Sequence, residues 1–355
     1  MHGRLGGNGI LGTVVQREEV VEHERQVGLM APVLGDGRPL LLVVAGGLLF
    51  AGGFALFLAA TGELLPHDVR YLGMGADDLC TAECRILDFM IHDRAAFGGT
   101  LVGLGILYLW LTVFPLAAGE QWAWWAWLVS GTVGFLSFLS YLGYGYLDMW
   151  HGVATLVLLP FYVVGMARSR RLVGPLDVRA LGHHGGWLAR RDRFAAGRAV
   201  LLLGAAATAA GGLAVLRVGL GDTFVPEDLE FMDLTARQLH ELNPRLVSLL
   251  AHDRAGFGGG VFTLGLTTML CLWCARPSRH LHQAVALAGA TSITAALGVH
   301  FLVGYTDLWH LLPAVAAAVS LAVGLAVHHP GVPLERSRGG RPSWSSRGGG
   351  PMIEA

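Results

Sequence analysis

The chain has 355 residues, 53% hydrophobic and only 14% charged, with a mean hydropathy of +0.53, whereas ordinary soluble domains carry about 25% charged residues. That balance argues against a soluble globule and for a polytopic membrane protein; 51 glycines without a three-residue period, four cysteines and the apolar majority also exclude collagen-like, disulfide-scaffold and disordered classes. All 25 basic residues are arginine, and a net charge of -1 gives no global attraction to nucleic acid.

Residues 1–38 form a mixed N-terminal segment with Glu18, Glu19, Glu22, Glu24 and Arg25. It lacks the basic start of a cleaved signal peptide, so the first apolar run is expected to be retained. A helix needs about 20 apolar residues to cross a bilayer. Eight runs meet or approach that length, at 40–60, 95–118, 122–144, 149–167, 199–216, 255–275, 283–303 and 308–327. Each is expected to be helical, because a lone strand cannot satisfy its backbone groups in lipid. The expected fold class is thus an all-α, multi-pass membrane protein with eight transmembrane helices.

Orientation follows from the arginines, which concentrate in cytoplasmic segments. With both termini cytoplasmic, 18 of the 25 arginines lie inside, and 16 of the 26 acidic residues lie outside. The linker 168–198, with Arg168, Arg170, Arg171, Arg190, Arg191 and Arg193, is the strongest anchor. The tail 328–355, rich in Gly, Ser, Arg and Pro, is expected to be disordered. These features place the protein in the plasma membrane, with the lipid bilayer as its first partner.

The chain reads as a tandem duplication. Shifting it by 160 residues lays Pro66-His67-Asp68 on Pro226-Glu227-Asp228, and His92-Asp93-Arg94-Ala95-Ala96-Phe97-Gly98-Gly99 on His252-Asp253-Arg254-Ala255-Gly256-Phe257-Gly258-Gly259. From residue 65 to residue 99 the match is ungapped, with 12 of 35 positions identical. After a one-residue slip, Asp148-Met149-Trp150-His151 falls on Asp307-Leu308-Trp309-His310. The units are residues 39–167 and 199–327, four helices each, and an even helix count makes them parallel repeats about an axis along the bilayer normal.

Both recurring motifs fall at the outer ends of helices. Asp148 and His151, like Asp307 and His310, are three apart and share a helix face, so the carboxylate can fix the imidazole or join it on an ion. Adding His92 to one set and His252 to the other gives two imidazoles and one carboxylate per repeat, the donor set of a non-haem iron site or of zinc with an open position. Haem b held by His92 and His151, or by His252 and His310, is the other cofactor this set admits. His300 can join as an asymmetric addition. Arg94 and Arg254 are read in the first turn of a helix, where the macrodipole disfavours a cation, so they need an ion-pair partner such as Asp93 or Asp148, or an anionic group of a substrate or lipid. Asp93 and Asp253 are read as N-caps, and the glycine pairs as close helix contacts.

Other signals are weaker. Cys80 and Cys84 lie in the first outer loop, where a disulfide is permitted; their counterparts are His240 and Pro244. Each outer loop of about 30 residues reads as short amphipathic helices, either capping the bundle or lying on the membrane. Two classes of function fit: a metal- or haem-dependent membrane redox enzyme or hydrolase acting on a lipid-soluble or extracytoplasmic small molecule, or a transporter or non-catalytic assembly protein. In the second class the His-Asp-Arg and Asp-x-Trp-His motifs form an interfacial hydrogen-bond and ion-pair network, with Trp150 and Trp309 in the aromatic belt.

Overall fold

The computed structural model describes residues 35–327, except 145, 147, 183–185 and 190. The tail expected to be disordered and most of the N-terminal segment lie outside the described residues. Among the described residues eleven α-helices follow in order: α1 (Arg38–Thr61), α2 (Pro66–Leu72), α3 (Ala76–Val113), α4 (Gln121–Leu139), α5 (Met149–Ser169), α6 (Arg193–Leu220), α7 (Pro226–Met232), α8 (Ala236–Leu242), α9 (Pro244–Cys274), α10 (Arg279–Val303) and α11 (Leu308–Val327). Among the described residues there is no strand. Eight helices, α1, α3, α4, α5, α6, α9, α10 and α11, are long and apolar enough to cross a membrane, which makes this a multi-pass membrane protein by length and composition.

Local sequence sets the helix ends. Asp148, Asp192 and Ser278 are N-caps whose side-chain oxygens accept from backbone N–H groups of α5, α6 and α10. Gly62 ends α1 in the left-handed region at φ 69°. Asn243 caps α9, with Pro244 at the first helical position, where its missing N–H costs nothing. α3 has a matching break, since Glu83 is extended (φ -163°, ψ 109°) and Asn243 is nearly identical (φ -157°, ψ 113°).

α3 and α9 run through the middle of the bundle and hold many of its buried residues. Their glycine pairs let neighbours approach closely. A Cβ on Gly98 would strike the backbone of Gly52 in α1, and one on Gly99 would overlap Ala295 in α10. In α9, Gly258 abuts the backbone of Leu216 in α6 and Gly259 abuts Ser137 in α4. Such contacts replace the hydrophobic drive that lipid does not supply between helices.

A second apolar core sits at the motif-bearing end. The short helices α2, α7 and α8, with the first turns of α3 and α9, bury Leu72, Leu79, Met232, Leu239 and Leu246 together. Each such side chain contributes roughly 1.5–3 kcal/mol relative to exposure. The segments between the spanning helices thus fold as a cap on the bundle. Cys80 and Cys84 are joined by a disulfide that brackets the break at Glu83.

Candidate metal centres

α3 and α9 begin well before the apolar runs, and this changes the setting of the first motif. His92 and Asp93 are only 2% exposed, inside α3 and not at its start. Asp93 and Asp253 are therefore not N-caps, and Arg94 and Arg254 are not in a first turn. The helix continues because Arg85 and Arg94, like Arg245 and Arg254, reach partners in the cap and the opposite half of the chain, so they do not mark a loop.

Each arginine bridges two carboxylates. Arg94 donates from Nη2 to Asp68 Oδ2 (2.6 Å) and from Nε to Asp253 Oδ2 (3.4 Å). Arg254 donates from Nη1 and Nη2 to Asp228 and from Nε to Asp93 Oδ2 (3.3 Å). Corresponding members of the two sets are 160 residues apart. Four buried or nearly buried carboxylates thus share two guanidinium groups, a surplus of negative charge that favours a further cation nearby. The ion-pair partners are Asp253 for Arg94 and Asp93 for Arg254, each from the opposite half of the chain where the sequence pointed to Asp93 or Asp148 for Arg94, plus Asp68 and Asp228 from the cap. Both of the latter also accept the N–H of their helix N-cap, Leu65 and Val225.

The histidines form two groups, each mixing residues from both ends of the chain. His92, His300 and His310 make the first, and Asp148, His151 and His252 the second, with one ligand atom per residue lying within 4.8 Å of the others. The expected sets, His92 with Asp148 and His151 and His252 with Asp307 and His310, are thus exchanged. α3 packs on α10 and α9 packs on α4, so each central helix delivers its histidine across the seam. Asp307 is outside both groups and caps α11, accepting the N–H of His310 at 2.9 Å.

Partner chemistry fixes the tautomers of the first group. His92 Nδ1 lies 3.0 Å from Asp93 Oδ1, and His300 Nδ1 lies 2.5 Å from the carbonyl oxygen of Ala296. Both oxygens only accept, so both Nδ1 atoms carry hydrogen. His310 Nδ1 is 3.0 Å from the Tyr305 hydroxyl, which donates to Asp228 Oδ1 at 2.8 Å. Burial and the Asp228 carboxylate hold the Tyr305 phenol far above its ordinary value, so it keeps its proton and must accept from His310. With Nδ1 engaged, His92 and His300 turn Nε2 toward each other. The Nε2 atoms of His92 and His300 are 3.1 Å apart, a contact that needs either a proton or a metal ion between the two nitrogens.

A bound metal ion would satisfy both nitrogens. Two nitrogens bound at 2.0–2.1 Å to one tetrahedral ion lie about 3.3 Å apart, and a three-histidine set with an open fourth position is a catalytic zinc arrangement. The supporting shell is complete. A hydrogen-bonded circuit runs from His92 through Asp93, Arg254, Asp228 and Tyr305 back to His310, the outer-sphere orientation that metal-ligating histidines require.

The second group has two imidazoles and one carboxylate, the expected donor set. His252 Nδ1 contacts Asp253 Oδ1 at 3.0 Å, leaving Nε2 as the ligand atom, 2.9 Å from His151 Nδ1. Asp148 Oδ1 accepts the N–H groups of Trp150 and His151, and its Oδ2 is 3.6 Å from His151 Nδ1. Burial alone would raise the Asp148 carboxyl, but the His67 ring, with His151 and His252, holds it far below the usual range. His67 Nε2 lies 3.2 Å from Asp148 Oδ1, and this contact raises His67 above an ordinary imidazole despite its burial.

Neither group has the form of a haem site. His92 and His151 belong to different groups, and within each group the rings touch, with centroids 4.4 Å apart for His92 and His300 and 4.8 Å for His151 and His252. A porphyrin plane needs its two ligands separated by the macrocycle.

His67, Asp68, Asp228, Tyr146 and Tyr305 were not singled out by the sequence reading. The signal was present, since Pro-x-Asp recurs at 66–68 and 226–228, and a tyrosine stands two residues before Asp148 and Asp307. Comparison with protein-family models, curated proteins and solved structures finds no match for the chain.

Proposed function

We propose that this protein is a membrane metalloenzyme with two metal centres at one face of the bilayer, a three-histidine centre at His92, His300 and His310 and a facial 2-His-1-carboxylate centre at Asp148, His151 and His252. The observation that carries this reading is the convergence of three imidazoles whose Nδ1 atoms are all committed to oxygen acceptors. The first centre has the donor set of a Lewis acid with an open position, which activates water or polarises a bound oxygen. The second has the donor set of non-haem iron(II). Asp93, Asp253 and the arginine bridges act as positioning residues that fix the ligand rings.

Each centre draws its ligands from both of two parallel four-helix repeats, residues 39–167 and 199–327, related by an axis along the bilayer normal. What supports this is reciprocity at a fixed offset. Arg85 Nη1 donates to the Phe231 carbonyl (3.1 Å) and Arg245 Nη1 to the Tyr71 carbonyl (2.7 Å), each pair shifted by 160 residues from the other. The arginine distribution supports cytoplasmic termini in the plasma membrane, with both centres on the extracytoplasmic side.

The test is elemental analysis and an absorption spectrum of the protein purified in mild detergent and reconstituted with zinc or iron(II). About two first-row metal ions per chain and no Soret band are expected. His92→Ala should remove one ion and His252→Ala the other. No bound metal after reconstitution, or metal unchanged in the double variant, rejects the assignment.

A further inference from the structure

A cavity of about 790 Å³ lies among α6, α9, α10 and α11. His92, His300, His310 and Arg254 line one end, and Leu201, Leu272 and Leu321 lie toward the other. Arg254 and Leu272 are eighteen residues apart on α9, a rise of about 27 Å, close to the roughly 30 Å of a hydrocarbon core. The walls between them are mostly small and apolar, with Gly204, Gly211, Gly265 and Gly289 among them. Leu203 and Trp309 also line the cavity and are 71% and 72% exposed, so it opens sideways toward lipid.

The corresponding region near α4 and α5 is filled. Tyr108 stacks on Trp127 with centroids 3.9 Å apart, and Tyr162 lies 6.4 Å from Trp127. Thr268 stands 160 residues after Tyr108, and Leu321 stands 159 after Tyr162; both line the cavity. Smaller side chains at these two positions leave the second half hollow. The volume falls in the range of ligand sites, about 300–1,000 Å³, which pair apolar walls with a few convergent polar groups.

We propose that this cavity binds one uncharged, long-chain amphiphile that enters from the bilayer, its apolar tail along α9 and its oxygen-bearing head at His92, His300 and His310. An anionic head is disfavoured, because Arg254 is bridged by Asp93 and Asp228 and the surrounding carboxylates outnumber the arginines. The head assignment rests on the metal reading above, since the open position of a three-histidine centre takes an oxygen ligand; the tail assignment does not.

The experiment uses the full chain in phosphatidylcholine nanodiscs and a hexadecanol analogue carrying a diazirine and an alkyne. Photolabelling should map to α6 and α11, and unlabelled hexadecanol should displace the probe at least tenfold better than hexadecanoate. Thr268→Tyr with Leu321→Tyr, which copies the filled half, should cut labelling at least tenfold while metal content stays at the wild-type value. Ala317→Phe, one turn before Leu321 on α11 and also lining the cavity, provides a second variant with the same expected loss. Labelling spread over all lipid-facing helices and unchanged by both variants overturns the proposal, as does better displacement by the carboxylate. If only the metal reading fails, the protein carries no metal yet labelling remains sensitive to filling. If only the pocket fails, metal is present and labelling is insensitive.

Discussion

The Nε2 atoms of His92 and His300 face each other at 3.1 Å, while Asp93 and the Ala296 carbonyl take both Nδ1–H groups. The Asp93 carboxylate therefore sets which nitrogen His92 presents. Asp93→Asn keeps the size of the side chain but removes its charge. Outer-sphere changes of this kind cost about 10–100-fold in metal affinity. Titration against a competing chelator should show that loss at the three-histidine centre alone, and Asp253→Asn should show it at the other. Equal effects of both variants on both centres would mean that the carboxylates act through the fold and not through their own ring.

The arginine bridges tie the cap to the bundle and one half of the chain to the other. Arg254 joins Asp228 of α7 to Asp93 of α3, with its side chain only 5% exposed. Removing one member of a buried pair leaves an uncompensated charge and costs about 3–5 kcal/mol. Arg254→Met should therefore lose about that much stability in denaturant unfolding followed by tryptophan fluorescence, and Asp228→Asn combined with it should lose less than the two single losses added. Strictly additive losses would show that the bridge carries no coupling.

Membrane orientation has a direct test. Arg237 is 87% exposed on the cap, and Arg179 is exposed in the arginine-rich linker. With cytoplasmic termini, a membrane-impermeant maleimide should label Arg237→Cys in intact cells and Arg179→Cys only after permeabilisation. The native thiols Cys271 and Cys274 are buried and should give low background. The reverse pattern would place both histidine groups on the cytoplasmic side.

All eight spanning helices were legible because lipid imposes length and apolarity residue by residue. Their starts were less so. A 20-residue apolar window cannot see that Ile86 and Phe89 extend α3 into the cap, since what buries them is a second core drawn from distant segments. The motif residues were legible from recurrence, but their grouping was not. Spacing along one helix links Asp148 to His151, whereas only helix packing decides that His252 joins them and that His92 faces His310. Asp68 and Tyr146 show the same limit, because a lone cap aspartate gains meaning only once Arg94 reaches it.

The break at Glu83 has two solutions within one chain. At 243–244 an Asn-Pro pair makes it, as proline disfavours the α region for the residue before it. At 80–84 the Cys80–Cys84 disulfide brackets the same backbone shape, and Glu83 Oε1 accepts the Arg85 N–H as Asn243 Oδ1 accepts that of Arg245. Replacing both cysteines by serine should cost about 2 kcal/mol on the loop-closure model for so short a loop. Cys80→Ser with Cys84→Pro should recover about 0.4–1 kcal/mol of it, because proline restricts the unfolded chain to a shape the native state already has. Hydrogen exchange across 76–90 reads the difference locally. Faster exchange in the proline variant than in the double serine variant would show that residue 83 is not held extended in the native protein, and that the two breaks are unrelated.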